Sequence, residues 1–326
     1  MENVRVIVDA MGSDACPLPE VKGAMAAVKE NKNLRVTLVG NKEKIETVLT
    51  DSTNIEIVDA TEVVDINKEP VMELRTKRDS SMAKGFGLTK QTADSAFVSA
   101  GSTGAIVAGG QLLVGRIKGI KRPALAPVIP TKDGRGVVLC DAGATPDAKV
   151  EFIYQNAIMA NALARVRGVK NPKIGLLNIG AEAKKGTEIY QETYKRLEAS
   201  EFNFIGNVEA RDITSSEADA VVCDGWTGNI ALKVMEGTLK TVLSVIKEKL
   251  MSTFISKVGA LLSKGAFDKV KKVYDYEETG GAILVGLKKP VIKAHGSSSE
   301  KSLKNAILLA AKTVEEGLVA TIESKL

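Results

Sequence analysis

The chain alternates between short runs of β-branched and aliphatic residues and longer segments in which apolar residues recur at helical spacing. The short runs predict strands at Arg5–Val8, Val36–Val39, Ile55–Val58, Ser95–Ser99, Val137–Cys140, Lys173–Leu177, Asn203–Gly206, Ala220–Cys223 and Ile283–Val285. The longer segments predict helices at Glu20–Lys29, Lys42–Thr50, Ser102–Val114, Asp147–Arg167, Thr187–Glu198, Asn229–Lys249 and Glu300–Ser324. Because strands and helices alternate, the pattern indicates an α/β fold with a mostly parallel sheet. No linker stands out, which predicts a single domain over residues 1–326.

The segment 250–276 departs from this alternation. Its apolar residues share one face of a helix, whereas serines and lysines fall largely elsewhere; the apolar positions are Phe254, Ile255, Val258, Leu261 and Leu262. Such a helix either lies on a membrane surface or packs against its own domain or another subunit. Composition alone favours the packed role. The segment is therefore predicted to be a helical amphipathic excursion from the domain.

Loops that follow predicted strands are candidate sites, because ligands of open α/β sheets bind at the carboxyl ends of the strands. In the segment Val221–Lys233, VVCDGWTGNIALK, a strand stops at Asp224 and a helix is predicted to begin near Asn229. Backbone N–H groups at a helix start bind anions, and Thr227 and Asn229 add polar side chains. The junction predicts an anion site and leaves the anion open.

A second junction, SAGSTGA at 99–105, joins a predicted strand to a predicted helix. Gly101 and Gly104 would allow a ligand to approach the backbone closely. Ser102 and Thr103 either only cap the helix or donate to a phosphate or acyl carbonyl. Both interpretations use the same geometry, so the pattern does not separate them.

Three further junctions carry charged or titratable residues. LLNIGAEAKKG, at 176–186, places Lys184 where it could neutralise a phosphate, although adjacent lysines are more often a solvated charge run. VDAMGSDACP, at 8–17, holds Asp9 and Asp14, which bind a metal, orient a hydroxyl or cap the next helix; capping is the favoured interpretation.

VIKAHGSSS, at 291–299, holds His295, the one histidine of the chain. A histidine serves as an acid, a base or a hydrogen-bond donor near neutral pH. Gly296, Ser297 and Ser298 follow it at a predicted helix start, where an anion would bind. A lone histidine is more often structural, but this setting favours a functional role.

Composition and missing motifs argue against several classes of function. One histidine among 326 residues excludes a multi-histidine metal site. No G-x-G-x-x-G follows the first strand and no G-x-x-x-x-G-K-[ST] occurs, which argues against dinucleotide binding and P-loop hydrolysis. The aromatic residues form no basic cluster, so no nucleic-acid partner is expected. No signal peptide is expected, no apolar run is long enough to span a bilayer, and three cysteines without metal-like spacing suit a reducing cytoplasm.

Taken together, the junctions resemble the phosphate acyltransferase (PlsX) family of bacterial phospholipid synthesis. The matching stretches occur in the family's order and span nearly the whole chain: VDAMGSD, SAGSTGA, LLNIGAEAKKG, GNVEARDI, VVCDGWTGNIALK, YEETGGAILVGL and VIKAHGSSS. The resemblance implies a Rossmann-like, three-layer α/β/α sandwich similar to isopropylmalate dehydrogenase and phosphotransacetylase. It implies transfer of a fatty acyl group from acyl carrier protein to inorganic phosphate. The acyl phosphate product would feed a membrane glycerol-3-phosphate acyltransferase.

The resemblance also implies a homodimer in the cytoplasm, loosely associated with the inner face of the cell membrane. That setting moves the expectation for 250–276 toward membrane contact or dimer packing. A basic run is expected to bind the acidic carrier protein: Arg116, Lys118, Lys121 and Arg122. Ala144 stands where the family commonly has Asn, so no side-chain role is expected there.

The mechanism expected from these residues is direct attack of phosphate on the thioester, without an acyl-enzyme, metal or organic cofactor. Phosphate-holding candidates are Ser102, Thr103, Lys184, Thr227, Ser297 and Ser298. His295 would donate to the oxyanion or the departing sulfur, and Asp224 and Asn229 would orient these groups. Two alternatives stay open: a phosphotransacetylase-like enzyme that uses coenzyme A thioesters, and a non-catalytic scaffold that binds acyl chains or membranes.

Overall fold

The structure is a computed structural model that describes residues 4–65, 67–274 and 279–326, with the side chains of 271–274 outside that description. Its strands are β1 Arg5–Asp9, β2 Arg35–Gly40, β3 Ile55–Asp59, β4 Ser95–Ser99, β5 Ala124–Ala126, β6 Val128–Ile129, β7 Val137–Cys140, β8 Lys173–Asn178, β9 Asn203–Glu209, β10 Ala220–Val222, β11 Ala282–Val285 and β12 Val291–Lys293. Each predicted strand is present, with small differences at its ends.

The strands form two sheets. The first has seven strands in the order β3-β2-β1-β4-β12-β11-β5, and the second has five in the order β6-β7-β10-β8-β9. Most neighbours are parallel, while β5, β6 and β11 add antiparallel pairs. The α/β class and the mostly parallel pairing are confirmed, and the division into two sheets was not predicted.

The helices are α1 Leu18–Glu30, α2 Lys42–Glu46, α3 Pro70–Thr76, α4 Ser81–Gln91, α5 Thr103–Gly109, α6 Val150–Val166, α7 Glu188–Glu198, α8 Gly225–Leu250, α9 Phe254–Leu262, α10 Lys264–Tyr274, α11 Glu300–Glu315 and α12 Leu318–Glu323. A π-helical turn, Gly110–Val114, continues α5. The predicted C-terminal helix is divided at Gly317, whose φ of 66° is left-handed. Helix α8 begins at Gly225, so the predicted start near Asn229 is wrong.

Strand alternation distributes the core over both faces of each sheet. In β1, Val6 and Val8 face a cluster that contains Val21 of α1, whereas Ile7 faces a cluster that contains Phe86 of α4. Successive side chains of a strand point to opposite faces, so both faces must be covered by helices.

The second sheet is covered in the same way. Val138 of β7 belongs to the cluster that also contains Val6, whereas Val137 belongs to a third cluster, against which Leu232 of α8 packs. Helices therefore lie on both faces of each sheet, as the three-layer prediction requires.

The excursion consists of α9 and α10, which follow the long helix α8. The five apolar positions predicted to share a face are all exposed, from 43% at Val258 to 83% at Leu262. Among the described residues of this chain, none covers the apolar face of α9. Positions 275 and 276 of the predicted segment lie outside the described residues. Across the described parts of the chain, no helix is both long and apolar enough to cross a bilayer.

Candidate active site

A first polar cluster lies where the adjacent parallel strands β1, β4 and β12 end. Asp9 is buried and accepts hydrogen bonds from Ser99 Oγ at 2.7 Å and from the Met11 N–H at 3.2 Å. Ser99 Oγ in turn accepts the Gly101 N–H at 3.0 Å. Burial raises the pKa of Asp9, and its carboxyl links the loop after β1, which contains Met11, to Ser99 at the end of β4. Among the described residues no group of acidic, cysteine and histidine side chains is arranged to hold a metal.

The glycines at this cluster are required by close packing. A Cβ at Gly12 would lie 2.9 Å from the Gly101 backbone nitrogen, and one at Gly101 would lie 2.6 Å from Met82 Cε. The close approach of the Gly101 backbone explains the glycine at position 12, whereas the expectation that Gly101 admits a ligand stays a prediction. Gly104 is exposed, with only Pro70 near the position of its missing Cβ.

The histidine loop joins the same cluster. The Asp14 N–H donates to the Gly296 carbonyl at 2.9 Å. His295 Nδ1 accepts the Ser297 N–H at 3.2 Å and lies 2.8 Å from Ser297 Oγ. A ring nitrogen that accepts a backbone N–H carries no proton, so the neutral ring carries its proton on Nε2. Partial burial, aided by Lys293 and Lys233, lowers the pKa of His295, which keeps the ring neutral near pH 7.

The predicted hydroxyl ligands of this region are partly engaged in capping. Ser102 Oγ accepts the Ala105 N–H at 3.2 Å as the N-cap of α5. Ser298 is buried and its Oγ lies 3.2 Å from Ser302 Oγ. Thr103 is half-buried and Ser297 is exposed, but Ser297 Oγ donates its proton to His295 Nδ1, which leaves Thr103 as the predicted hydroxyl of this region best placed to meet a ligand.

Lys293 ends β12, two residues before His295. The sequence pattern did not predict a role for it. Its ammonium is half-buried and donates to the Ala294 carbonyl. Burial, aided by Lys233 and opposed by Asp14, lowers its pKa to about 8. Lys233, on α8, is paired with Glu236 at 2.9 Å. Lys233, whose charge Glu236 partly offsets, lowers the pKa of both Lys293 and His295, so a bound anion would stabilise this pair of cations.

A second polar cluster lies at the carboxyl end of β10. Asp224 is the N-cap of α8: it accepts the Thr227 N–H at 2.9 Å and Thr227 Oγ1 at 2.8 Å. The buried Tyr190 hydroxyl donates to the same carboxylate, and burial raises the pKa of Tyr190 further above its ordinary value. The hydroxyl of Thr227 therefore donates its proton to Asp224 and has none left for a ligand. The contacts of Asp224 orient the start of α8.

The loop after β7 supports this second cluster. Asp141 is buried and accepts backbone N–H groups from Leu125, Gly143, Ala144 and Thr145 at 2.7–3.0 Å. Burial raises its pKa to about 6 against the effect of these donors, so the carboxylate is ionised at pH 7. Ala144 contributes only its backbone, as expected from the absence of a polar side chain.

Helix α8 packs tightly on that loop. A Cβ at Gly228 would lie 1.9 Å from the Asp141 carbonyl oxygen, and a Cβ at Gly143 would lie 3.3 Å from Asn229 Cγ. Asn229, Lys233 and Glu236 follow at helical spacing on one face of α8. The helix therefore links the clusters, since Asn229 contacts the loop after β7 while Lys233 and Glu236 act on His295.

Lys184 lies in the exposed loop after β8, where its carbonyl accepts Gln191 Nε2 at 2.9 Å. Within the part of the chain that the structure describes, no hydrogen bond or ion pair joins its side chain to His295 or Lys293. Its predicted role in holding phosphate beside the histidine therefore has no support from a contact.

Neither strand-end cysteine is suited to accept an acyl group. Cys140 and Cys223 are fully buried, and burial raises the pKa of both thiols well above the ordinary value. A thiolate is the nucleophilic form, and these sites disfavour it.

Comparisons with known proteins agree with this architecture. Residues 4–321 match the family model described as Fatty acid synthesis protein. The phosphate acyltransferases of Bacillus cereus (strain B4264) and Bacillus thuringiensis (strain Al Hakam) are each 46% identical over 322 residues, covering 98% of both chains. The chain belongs to the phosphate acyltransferase family. Within that family's motifs, the structure brings VDAMGSD, SAGSTGA and VIKAHGSSS together in the first cluster.

Solved structures of similar fold are more distant in sequence. A phosphotransacetylase from Streptococcus pyogenes has a TM-score of 0.62 at 20% identity and covers 96% of this chain and 94% of its own. A branched-chain phosphotransacylase from Enterococcus faecalis V583 has a TM-score of 0.62 at 15% identity, over 95% and 99%. A 4-hydroxythreonine-4-phosphate dehydrogenase from Klebsiella pneumoniae has a TM-score of 0.53 at 14% identity, over 94% and 98%. They confirm the predicted fold for this family member.

Proposed function

We propose that this chain transfers a long-chain fatty acyl group from acyl carrier protein to inorganic phosphate, giving an acyl phosphate for phospholipid synthesis. The name of its 46%-identical relatives supports acyl transfer to phosphate. The observation that carries the proposal is the meeting of the loops after β1, β4 and β12, which brings the ammonium of Lys293, with Lys233 acting on it, and a neutral His295 to one polar cluster. An anionic nucleophile would stabilise these charges, and the Nε2–H of His295 supplies a donor for the charge that develops on the acyl group.

Lys293 and Lys233 hold phosphate in this mechanism, together with Thr103 and the backbone of its loop. A phosphate oxygen attacks the thioester carbonyl carbon, and the carbonyl oxygen becomes an oxyanion that accepts a hydrogen bond from His295. The C–S bond then breaks, the thiolate leaves with the bonding electrons, and the C–O bond to phosphate remains. The lowered pKa of His295 favours a donor role over full proton transfer, so the thiolate takes its proton from solvent.

The exposed basic run Arg116, Lys118, Lys121 and Arg122 is the proposed docking surface for the acidic carrier protein. Complementary charge raises the rate of encounter and orients the partner. Coenzyme A thioesters are the alternative donor. If the donor is acyl carrier protein, charge reversal at Lys118 should raise the KM for the acyl donor in a salt-dependent way. If the donor is a coenzyme A thioester, that KM should not change.

The exposed apolar faces of α8 and α9 support two further parts of the proposal. On α8, Val234 and Val242 are 61% and 48% exposed, and on α9 Ile255 is 83% exposed. Apolar surface of this extent is typical of protein or membrane contacts. We assign α8 to a homodimer and α9 to the inner face of the cell membrane, where the product is handed to a membrane acyltransferase.

Phosphate-dependent loss of thioester from palmitoyl-carrier protein tests the proposed function, with palmitoyl-coenzyme A as the second donor. The proposal expects turnover with the carrier donor that requires phosphate and falls in the His295→Ala variant. Faster turnover with coenzyme A would select the phosphotransacetylase-like alternative. Vesicle binding without any phosphate-dependent turnover would select the non-catalytic scaffold.

A further inference from the structure

A second cationic site lies beside the loop that follows β7. The guanidinium carbon of Arg122 lies 6.0 Å from the ring centroid of Phe152, and the Lys149 ammonium lies 5.3 Å from the same centroid. Both are cation–π distances. The half-buried ring of Phe152, in the first turn of α6, therefore lies close to two exposed cations from different parts of the chain.

Neither cation has a carboxylate partner among the residues that the structure describes. The nearest acid along α6, Glu151, is already engaged by Arg196 at 2.6 Å and by Gln155 at 2.9 Å. Lys149 also stands at the N-cap of α6 without a capping hydrogen bond from its side chain. A cation at a helix N-terminus opposes the helix dipole, so helix stability does not account for a lysine there.

The cluster is tied to the candidate active site. Thr145 Oγ1 donates to the carbonyl of Pro123, the neighbour of Arg122, at 3.3 Å. The Thr145 carbonyl accepts the N–H of Gly225, the first residue of α8, at 3.0 Å. These two hydrogen bonds connect the residue next to Arg122 to the first residue of α8, the helix that carries Asn229 and Lys233.

We infer that Arg122, Lys149 and Phe152 bind the phosphate group on the pantetheine arm of the acyl donor. This inference rests on the proposed function, because both carrier-bound and coenzyme A thioesters carry that phosphate. Arg and Lys bind phosphate through charge-assisted hydrogen bonds, and Phe152 fixes their positions. Engagement of this group orients the arm, so that its thioester end reaches the histidine and the bound phosphate.

Calorimetric titration of the full chain with 4′-phosphopantetheine and with pantetheine tests the inference. Each cation is expected to contribute about tenfold to the affinity for the phosphorylated arm, the size of a charge-assisted hydrogen bond at an exposed site. Arg122→Ala and Lys149→Ala should each reduce the preference for the phosphorylated arm by about tenfold, and the double variant should abolish it. Lys170→Ala, which removes an exposed lysine beyond the other end of α6, should preserve it. Equal affinity of the wild-type protein for both arms, or an unchanged preference in the double variant, would overturn the inference.

Kinetics with two donors separate the sources of the phosphate and the two proposals. The double variant should lose kcat/KM with both palmitoyl-carrier protein and palmitoyl-coenzyme A, whereas Lys118→Glu should affect the carrier donor alone. Binding preference without any acyl transfer would refute the proposed function and leave the phosphate site standing. Acyl transfer that is unchanged in the double variant would refute the site and leave the function standing.

Discussion

Replacing Lys293 with methionine should make the protein more stable and less able to bind phosphate. Burial lowers the pKa of Lys293 from 10.5 to about 8, and one pKa unit corresponds to about 1.4 kcal/mol. The charged ammonium therefore destabilises the folded state by about 3 kcal/mol near neutral pH. Loss of its hydrogen bond to the Ala294 carbonyl costs about 1 kcal/mol, so we expect Lys293→Met to raise the free energy of unfolding by about 2 kcal/mol.

The stability that Lys293→Met gains over the wild-type protein should decrease as pH rises. The unfolded chain keeps the Lys293 proton up to the ordinary pKa of 10.5, whereas the folded chain loses it near 8. Between these values the unfolded state binds more protons, so this group makes wild-type stability rise with pH. The advantage of the variant is therefore full below pH 8 and is lost by pH 10.5.

Urea unfolding at pH 7, with and without inorganic phosphate, measures both effects. Phosphate should stabilise the wild-type protein by mass action and have little effect on Lys293→Met. Lys288→Met, at an exposed position, should change stability by less than about 0.5 kcal/mol. A variant that is less stable than wild type, or that phosphate stabilises equally, would refute the assignment of Lys293 as a buried phosphate ligand.

Three further predictions concern other parts of the site. Tyr190→Phe should lower the free energy of unfolding by about 2 kcal/mol because Asp224 loses a buried donor. Tyr194→Phe, in the same helix, should have little effect in the same urea assay. Equal effects of the two variants would contradict the hydrogen bonding of Tyr190 to Asp224. His295→Ala should lower kcat about 100-fold, the size expected for loss of one oxyanion donor, with little change in KM for phosphate; full kcat/KM would remove its chemical role. Leu262→Asp should weaken sedimentation with anionic lipid vesicles and spare turnover in solution, and unchanged binding would exclude the α9 tip from membrane contact.

Much of the fold follows from local pattern. Strands such as β1 are predictable because apolar side chains must cover both faces of a buried sheet, which produces continuous β-branched runs. The strand Val291–Lys293 was missed because it has three residues and ends in a lysine. Because that strand was not predicted, Lys293 was not predicted to be a site residue. Its position at a strand end, just before His295, could have indicated such a role.

The second cluster shows where local pattern stops. Asp224 followed by Thr227 is a recognisable N-cap signal, and it would have placed the start of α8 at Gly225. The hydrogen bond from Tyr190 joins residues 34 positions apart, and no periodicity identifies such a partner. Lys184 was predicted from its charge and its position after a strand, and neither reveals whether a loop folds toward the histidine.

The measurement that tests the central claim most directly is the fate of the oxygen atoms of phosphate. The protein is incubated with palmitoyl-carrier protein and ¹⁸O-labelled inorganic phosphate, and the products are analysed by mass spectrometry. Direct attack predicts palmitoyl phosphate that retains every labelled oxygen, free carrier thiol in equal amount, and no acylated protein. Absence of labelled acyl phosphate, or an acyl group trapped on a cysteine, would contradict the account.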